Sequence, residues 1–81
     1  MVHKYSKLAI VVELKKIGKF DAVKKWIQDN GIYDEWLSAQ WVSSNYDGFD
    51  EIVGRIADEC GIDRTVLDSI LEEAERQWLG E

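Results

Sequence analysis

The stretch FDAVKKWIQDNGIYDEWL, residues 20–37, can be laid over FDEIVGRIADECGIDRTVL, residues 49–67. Phe20-Asp21 matches Phe49-Asp50, Val23 matches Ile52, Ile27 matches Ile56 and Asp29 matches Asp58. After one extra residue, Gly31-Ile32 matches Gly61-Ile62 and Leu37 matches Leu67. Each copy reads as an amphipathic helix, a turn centred on glycine and a second helix, so two helical hairpins packed together would make the domain. Two copies fall short of the roughly three that mark a repeat array. A coincidence of two amphipathic helix–Gly–helix pairs therefore stays open beside true duplication.

Periodicity fills in the rest. Upstream, Tyr5, Leu8, Ala9 and Val12 recur at helical spacing, with Lys4, Lys7 and Lys15 off that face and Gly18 as a stop signal. The run Leu8-Ala9-Ile10-Val11-Val12 is rich in β-branched residues, so a strand is the competing reading there. Helix is preferred because Glu13 to Lys16 continue with helix formers and no strand partner is evident downstream. In the second helix, Phe20 to Asp29, residues Phe20, Val23 and Ile27 face inward and Asn30-Gly31 forms the C-terminal cap. A third helix is expected over residues 34–42, with Tyr33, Leu37 and Trp41 on one stripe and Trp36 beside it. SSNYDG, residues 43–48, is the one clear loop.

A fourth helix, Asp50 to Cys60, turns Ile52, Val53, Ile56, Ala57 and Cys60 inward. Asp63 then caps a long final helix reaching about Leu79, with Val66, Leu67, Ile70, Leu71, Ala74 and Trp78 as its apolar stripe. The expected fold is all-α: a compact bundle of four to five short helices in one domain spanning residues 1–81, with helices and nothing else.

Composition agrees with a small single core. Of 81 residues 46% are hydrophobic and four are Trp. A domain this size buries only about 60–65% of its unfolded surface, so its stability margin is small. Cys60 is the sole cysteine, which excludes an intrachain disulfide and suits a reducing cytoplasm. The longest apolar run, residues 8–12, is far shorter than the ~20 residues of a membrane span. These features predict a soluble cytoplasmic protein without membrane contact. Charge is uneven: residues 1–25 hold seven Lys against Glu13 and Asp21, net +5, whereas residues 26–81 hold three Arg against fourteen acids, net −11. Such asymmetry suits either solvated helix faces attracting one another or contact with a charged partner.

Catalytic material is scarce. His3 is the only histidine and lies near a terminus, so no Ser-His-Asp set can be assembled, and no glycine-rich phosphate loop is present. Cys60 sits on an apolar face as filler. The segment 43–54 places Ser43, Asn45, Asp47 and Gly48 at calcium-loop spacing. Ser43, Asp50 and Gly54 then occupy positions that need Asp, an apolar residue and a bidentate Glu. Neighbouring pairs such as Asp58-Glu59 and Glu72-Glu73 point apart on their helices. The expectation is a non-enzymatic protein with no cofactor and no metal.

Ala57, Gly61, Ile62, Leu67 and Ile70 occupy the small, turn and core positions of a hairpin that resembles helix-turn-helix DNA-binding proteins. The resemblance covers about twenty residues, all of them packing positions, and implies a hairpin-shaped module and a dimeric regulator of transcription. Yet the face that would read DNA carries Asp63, Asp68, Glu72 and Glu73, with Arg64 and Ser69 as the only candidates for base contacts. Phosphate would repel that face.

The aromatic crowd gives the positive clue. Tyr33, Trp36, Trp41 and Tyr46 fall within fourteen residues beside the loop. One short helix cannot centre both Trp36 and Trp41 on the core, and exposed Trp and Tyr mark interface hot spots. Core filling is the plain alternative. The reading reached is a small acidic binding protein acting by stoichiometric protein–protein interaction, an adaptor or an inhibitor of the kind a phage or mobile element encodes. Trp36, Trp41, Tyr46 and Asp47 would contact the partner. A homodimer is expected, and DNA binding is the second reading.

Overall fold

In the computed structural model, which describes residues 2–80, helix boundaries follow side-chain and turn chemistry. The Ser6 hydroxyl accepts from the Ala9 N–H (3.2 Å) and starts helix α1, Lys7–Lys16. Helices α2 (Phe20–Asp29) and α4 (Phe49–Cys60) both stop at glycine. Gly31 and Gly61 adopt φ of +74° and +68°, the left-handed region that a side chain disfavours. Beyond each, the chain folds back through the same bond. The Ile32 N–H reaches the Ile27 carbonyl at 3.2 Å, and the Ile62 N–H reaches that of Ala57 at 2.9 Å. The Asp63 carboxylate accepts from the Thr65 N–H (2.9 Å) and opens helix α5, Arg64–Leu79.

The all-α bundle is observed, with five helices among the described residues in a body whose radius of gyration is 11.6 Å. Residues 8–12 lie inside α1, so helix is the right reading of that run. "Helices and nothing else" needs correction. Strand β1 (Lys4–Ser6) pairs antiparallel with strand β2 (Trp41–Ser43), aligning Tyr5 with Val42. Helix α3 is correspondingly short, Tyr33–Ser38, and the chain turns extended at Ala39 instead of running on to Val42. The downstream partner for a strand exists, and it meets residues 4–6.

Three expected stripes shift with these boundaries. On α1 the buried residues are Ile10 and Leu14, while Leu8 is 73% exposed, because Tyr5 belongs to β1 and cannot set the helical phase. On α3 nothing is fully buried. Trp36 and Tyr33 lean on the core and Leu37 points outward, 57% exposed. On α5, Leu67, Ile70 and Ala74 are buried as expected, but Val66 and Trp78 stay partly exposed, at 40% and 39%. His3 is also better anchored than its place near the terminus suggests. Its ring sits 2.5 Å from the Glu75 carboxylate, and its backbone N–H donates to the Ser44 hydroxyl at 2.8 Å.

The core joins α1, α2, α4 and α5 through Leu14, Val23, Trp26, Ile27, Val53, Ala57, Leu67, Ile70 and Ala74. Helix α5 packs on β1, α1 and α4, while α3 rests chiefly on α2. That imbalance leaves one flank of the core thinly covered.

Candidate functional site: an apolar cleft beside the short helix

Where α3 stops early, the core opens into a cleft of about 440 Å³. Its floor is made of buried residues, Ile10, Leu14, Val23, Ile27, Val53 and Leu67. Half-buried Ile32, Phe49, Ile52, Ile56 and Leu71 form the walls, and the exposed rim carries Glu35, Trp41, Asn45 and Tyr46. Trp36 and Val42 lie between wall and rim. Of the residues expected to bind a partner, Trp36, Trp41 and Tyr46 line this one cleft, and Asp47 is exposed on the adjoining loop.

The two tryptophans reach the cleft from different elements. Trp36 is on α3. The Lys7 ammonium donates to the Trp36 carbonyl at 2.8 Å and to that of Leu37 at 3.3 Å, satisfying the end of the helix, and lies 5.4 Å over the Trp36 ring. Trp41 is on β2, not on a helix, so the two rings do not compete for one helical face. Its exposure follows from the strand alternation that turns Val42 inward. Trp41 is 38% exposed, with the Lys4 ammonium 4.8 Å over its ring and the Trp78 ring 5.9 Å away.

A polar clasp crosses the rim. The Tyr46 phenol donates to the Glu35 carboxylate, joining the loop after β2 to α3. That hydrogen bond, with a smaller contribution from burial, holds the phenol above its ordinary pKa. The sequence showed the broad apolar face on α4, with Ile52, Val53, Ile56 and Ala57 inward, but not the cleft that its width makes. Ile52 and Ile56 flank Val53 and Ala57, and a face that broad leaves residues over for a cleft wall.

The other candidates resolve simply. Cys60 is buried, and burial pushes its thiol above the usual pKa, away from the reactive thiolate. Segment 43–54 is divided between β2, a turn and the first turns of α4. Among the described residues no three of His, Cys, Asp and Glu are grouped to hold a metal ion. Nor, among the described residues, is any helix long and apolar enough to cross a membrane. Comparison with protein-family models, curated proteins and solved structures finds no match to this chain.

Proposed function

We propose that the chain is a small acidic, non-enzymatic binding protein that engages another protein one-to-one through the cleft beside α3. The observation that carries this reading is the cleft itself, an apolar floor continuous with the core under a rim of aromatic rings. Open apolar surface of this kind is buried when a partner's aliphatic or aromatic side chain enters it, and Trp and Tyr at the rim supply contact area at low entropic cost. Charge selects the partner. The chain carries −6 overall, and Asp34, Glu35, Asp47, Asp50 and Glu51 crowd α3, the loop and the start of α4. The occupant is therefore an apolar anchor on a basic protein, with Lys or Arg beside it to meet Glu35 and Asp47. An adaptor or an inhibitor, cytoplasmic and of phage or mobile-element origin, fits that chemistry.

The test compares capture by the immobilised wild-type protein with capture by Trp41→Ala and Tyr46→Ala, using Val66→Ala as a surface control on α5. A basic protein retained by wild type and control, and released by the two rim variants, is expected. Retention that ignores both rim variants would overturn the reading. Sedimentation of the purified chain adds the homodimer arm, since a second copy is an alternative occupant.

The second reading, a helix-turn-helix regulator, draws on one observation. Ala57, Ile62, Leu67 and Ile70 are all buried around Gly61, as that hairpin requires. Against it, Arg64 is engaged by Asp68 at 3.0 Å, and Asp68 and Glu72 are exposed on the same helix, with Asp63 exposed at its cap. Retention on duplex DNA at low salt would favour the regulator, and flow-through favours the protein-binding reading.

A further inference from the structure

On the far side of Phe49, Val53 and Leu71, which also line the apolar cleft, lies a second groove of about 370 Å³ between β1, the start of α4 and α5. We infer that this groove binds an organic cation rich in N–H donors, an ammonium or guanidinium group carried on an alkyl chain.

The groove is acidic. Asp50, Asp68, Glu72 and Glu75 line it, against Arg64 and His3. Arg64 is taken up by Asp68 at 3.0 Å, and His3 by Glu75 at 2.5 Å. Asp50 and Glu72 have no hydrogen-bond or ion-pair partner among the described residues, so two carboxylates face the groove uncommitted.

Tyr5 is 9% exposed, yet its hydroxyl makes no hydrogen bond among the described residues. Burial, then the carboxylates of Glu75, Asp50 and Asp68, push the phenol above its ordinary pKa. Tyr5 as a whole is nearly buried, but its hydroxyl keeps an accessible, unpartnered edge on the groove, close to several carboxylates, where a ligand can meet it. An N–H donor could give one hydrogen to the phenol oxygen and others to Asp50 and Glu72.

The walls decide between a metal ion and an organic cation. The Tyr5 and Phe49 rings are stacked at 5.6 Å, and Val53 and Leu71 add apolar surface against which methylenes can pack. The described residues do not group the ligands a metal ion needs.

Two sources carry this cation, a free polyamine and a Lys- or Arg-bearing segment of a protein. Spermidine and a short lysine–arginine peptide would each be titrated into the full chain by calorimetry and amide-shift mapping, with NaCl at matched ionic strength as reference. Saturable one-to-one binding is expected, with shifts centred on residues 3–5, 50 and 68–75. Tighter binding of spermidine assigns a free polyamine, and tighter binding of the peptide assigns a protein segment. Glu72→Gln, an exposed change, should weaken binding about tenfold, and Tyr5→Phe, which keeps the ring stack, severalfold. Shifts that track NaCl, fail to saturate, or persist unchanged in both variants would overturn the proposal. Neither substitution touches Trp36, Trp41 or Tyr46, so the result stands apart from that of the cleft.

Discussion

The hairpins α2–α3 and α4–α5 enter their turns alike and leave them differently. Both first helices end at a left-handed glycine followed by an isoleucine whose N–H closes the cap. After the turn, α5 runs sixteen residues from a side-chain cap at Asp63, while α3 runs six from Ile32, which provides no side-chain cap. The matched leucines show the consequence. Leu67 is 5% exposed and Leu37 is 57% exposed. A long second helix covers its share of the core, whereas a short one that gives way to a strand leaves a cleft. The difference shows that a shared turn does not by itself produce shared packing. In this chain the incomplete hairpin carries the candidate site.

The largest expected effect breaks or sharpens that contrast directly. Leu67→Ala should destabilise the fold by about 2–5 kcal/mol, since it empties a buried position. Leu37→Ala should stay within about 0.5 kcal/mol, as exposed substitutions do. Denaturant unfolding of the pair measures both, and equal losses would mean the hairpins pack alike after all.

Next in size are the turns. Gly31→Ala and Gly61→Ala should each cost about 1–2 kcal/mol, because both positions hold positive φ, while a Cβ would meet nothing at Gly31 and only the Lys19 ammonium, at an ordinary contact distance of 3.5 Å, at Gly61. Similar shifts in melting temperature would confirm that the caps are equivalent even where the helices beyond them are not.

Acid titration should give the smallest effect. Hydrogen bonds from the Thr65 hydroxyl and N–H hold the Asp63 carboxyl below its usual pKa. A lowered folded pKa contributes stability that is present above the ordinary value, near pH ~4, and is lost as the pH falls through the depressed one. Wild type and Asp63→Ala should thus differ at neutral pH and converge in strong acid. Helix α3, lacking a carboxylate cap, offers no counterpart.

Much of this was legible in the residues. The apolar faces of α2, α4 and the middle of α5, the glycine stops and the Asp63 cap all follow from local spacing and turn chemistry. The strand pair was not, because Lys4–Ser6 and Trp41–Ser43 each span three residues, and their pairing depends on partners about 37 positions apart. That omission displaced the rest. Counting Tyr5 into a helix rotated the expected face of α1, and extending α3 through Trp41 put Leu37 on the core. For the site, the crowd of aromatics was readable and the cleft was not, since a cavity depends on how far α3 stands from α4. Asp47 sits beside the cleft, and nothing in its contacts explains a role beyond charge.

The central claim, that the open side of the first hairpin is a binding surface, is tested most directly by measuring melting temperature and partner affinity together for Trp41→Ala. The partner is the purified basic protein retained by the wild-type chain. The account predicts a small change in melting and a loss of affinity of about thirtyfold, roughly 2 kcal/mol, as for a central interface tryptophan. A variant that melts markedly lower while its affinity is intact would contradict it and make Trp41 a structural residue only.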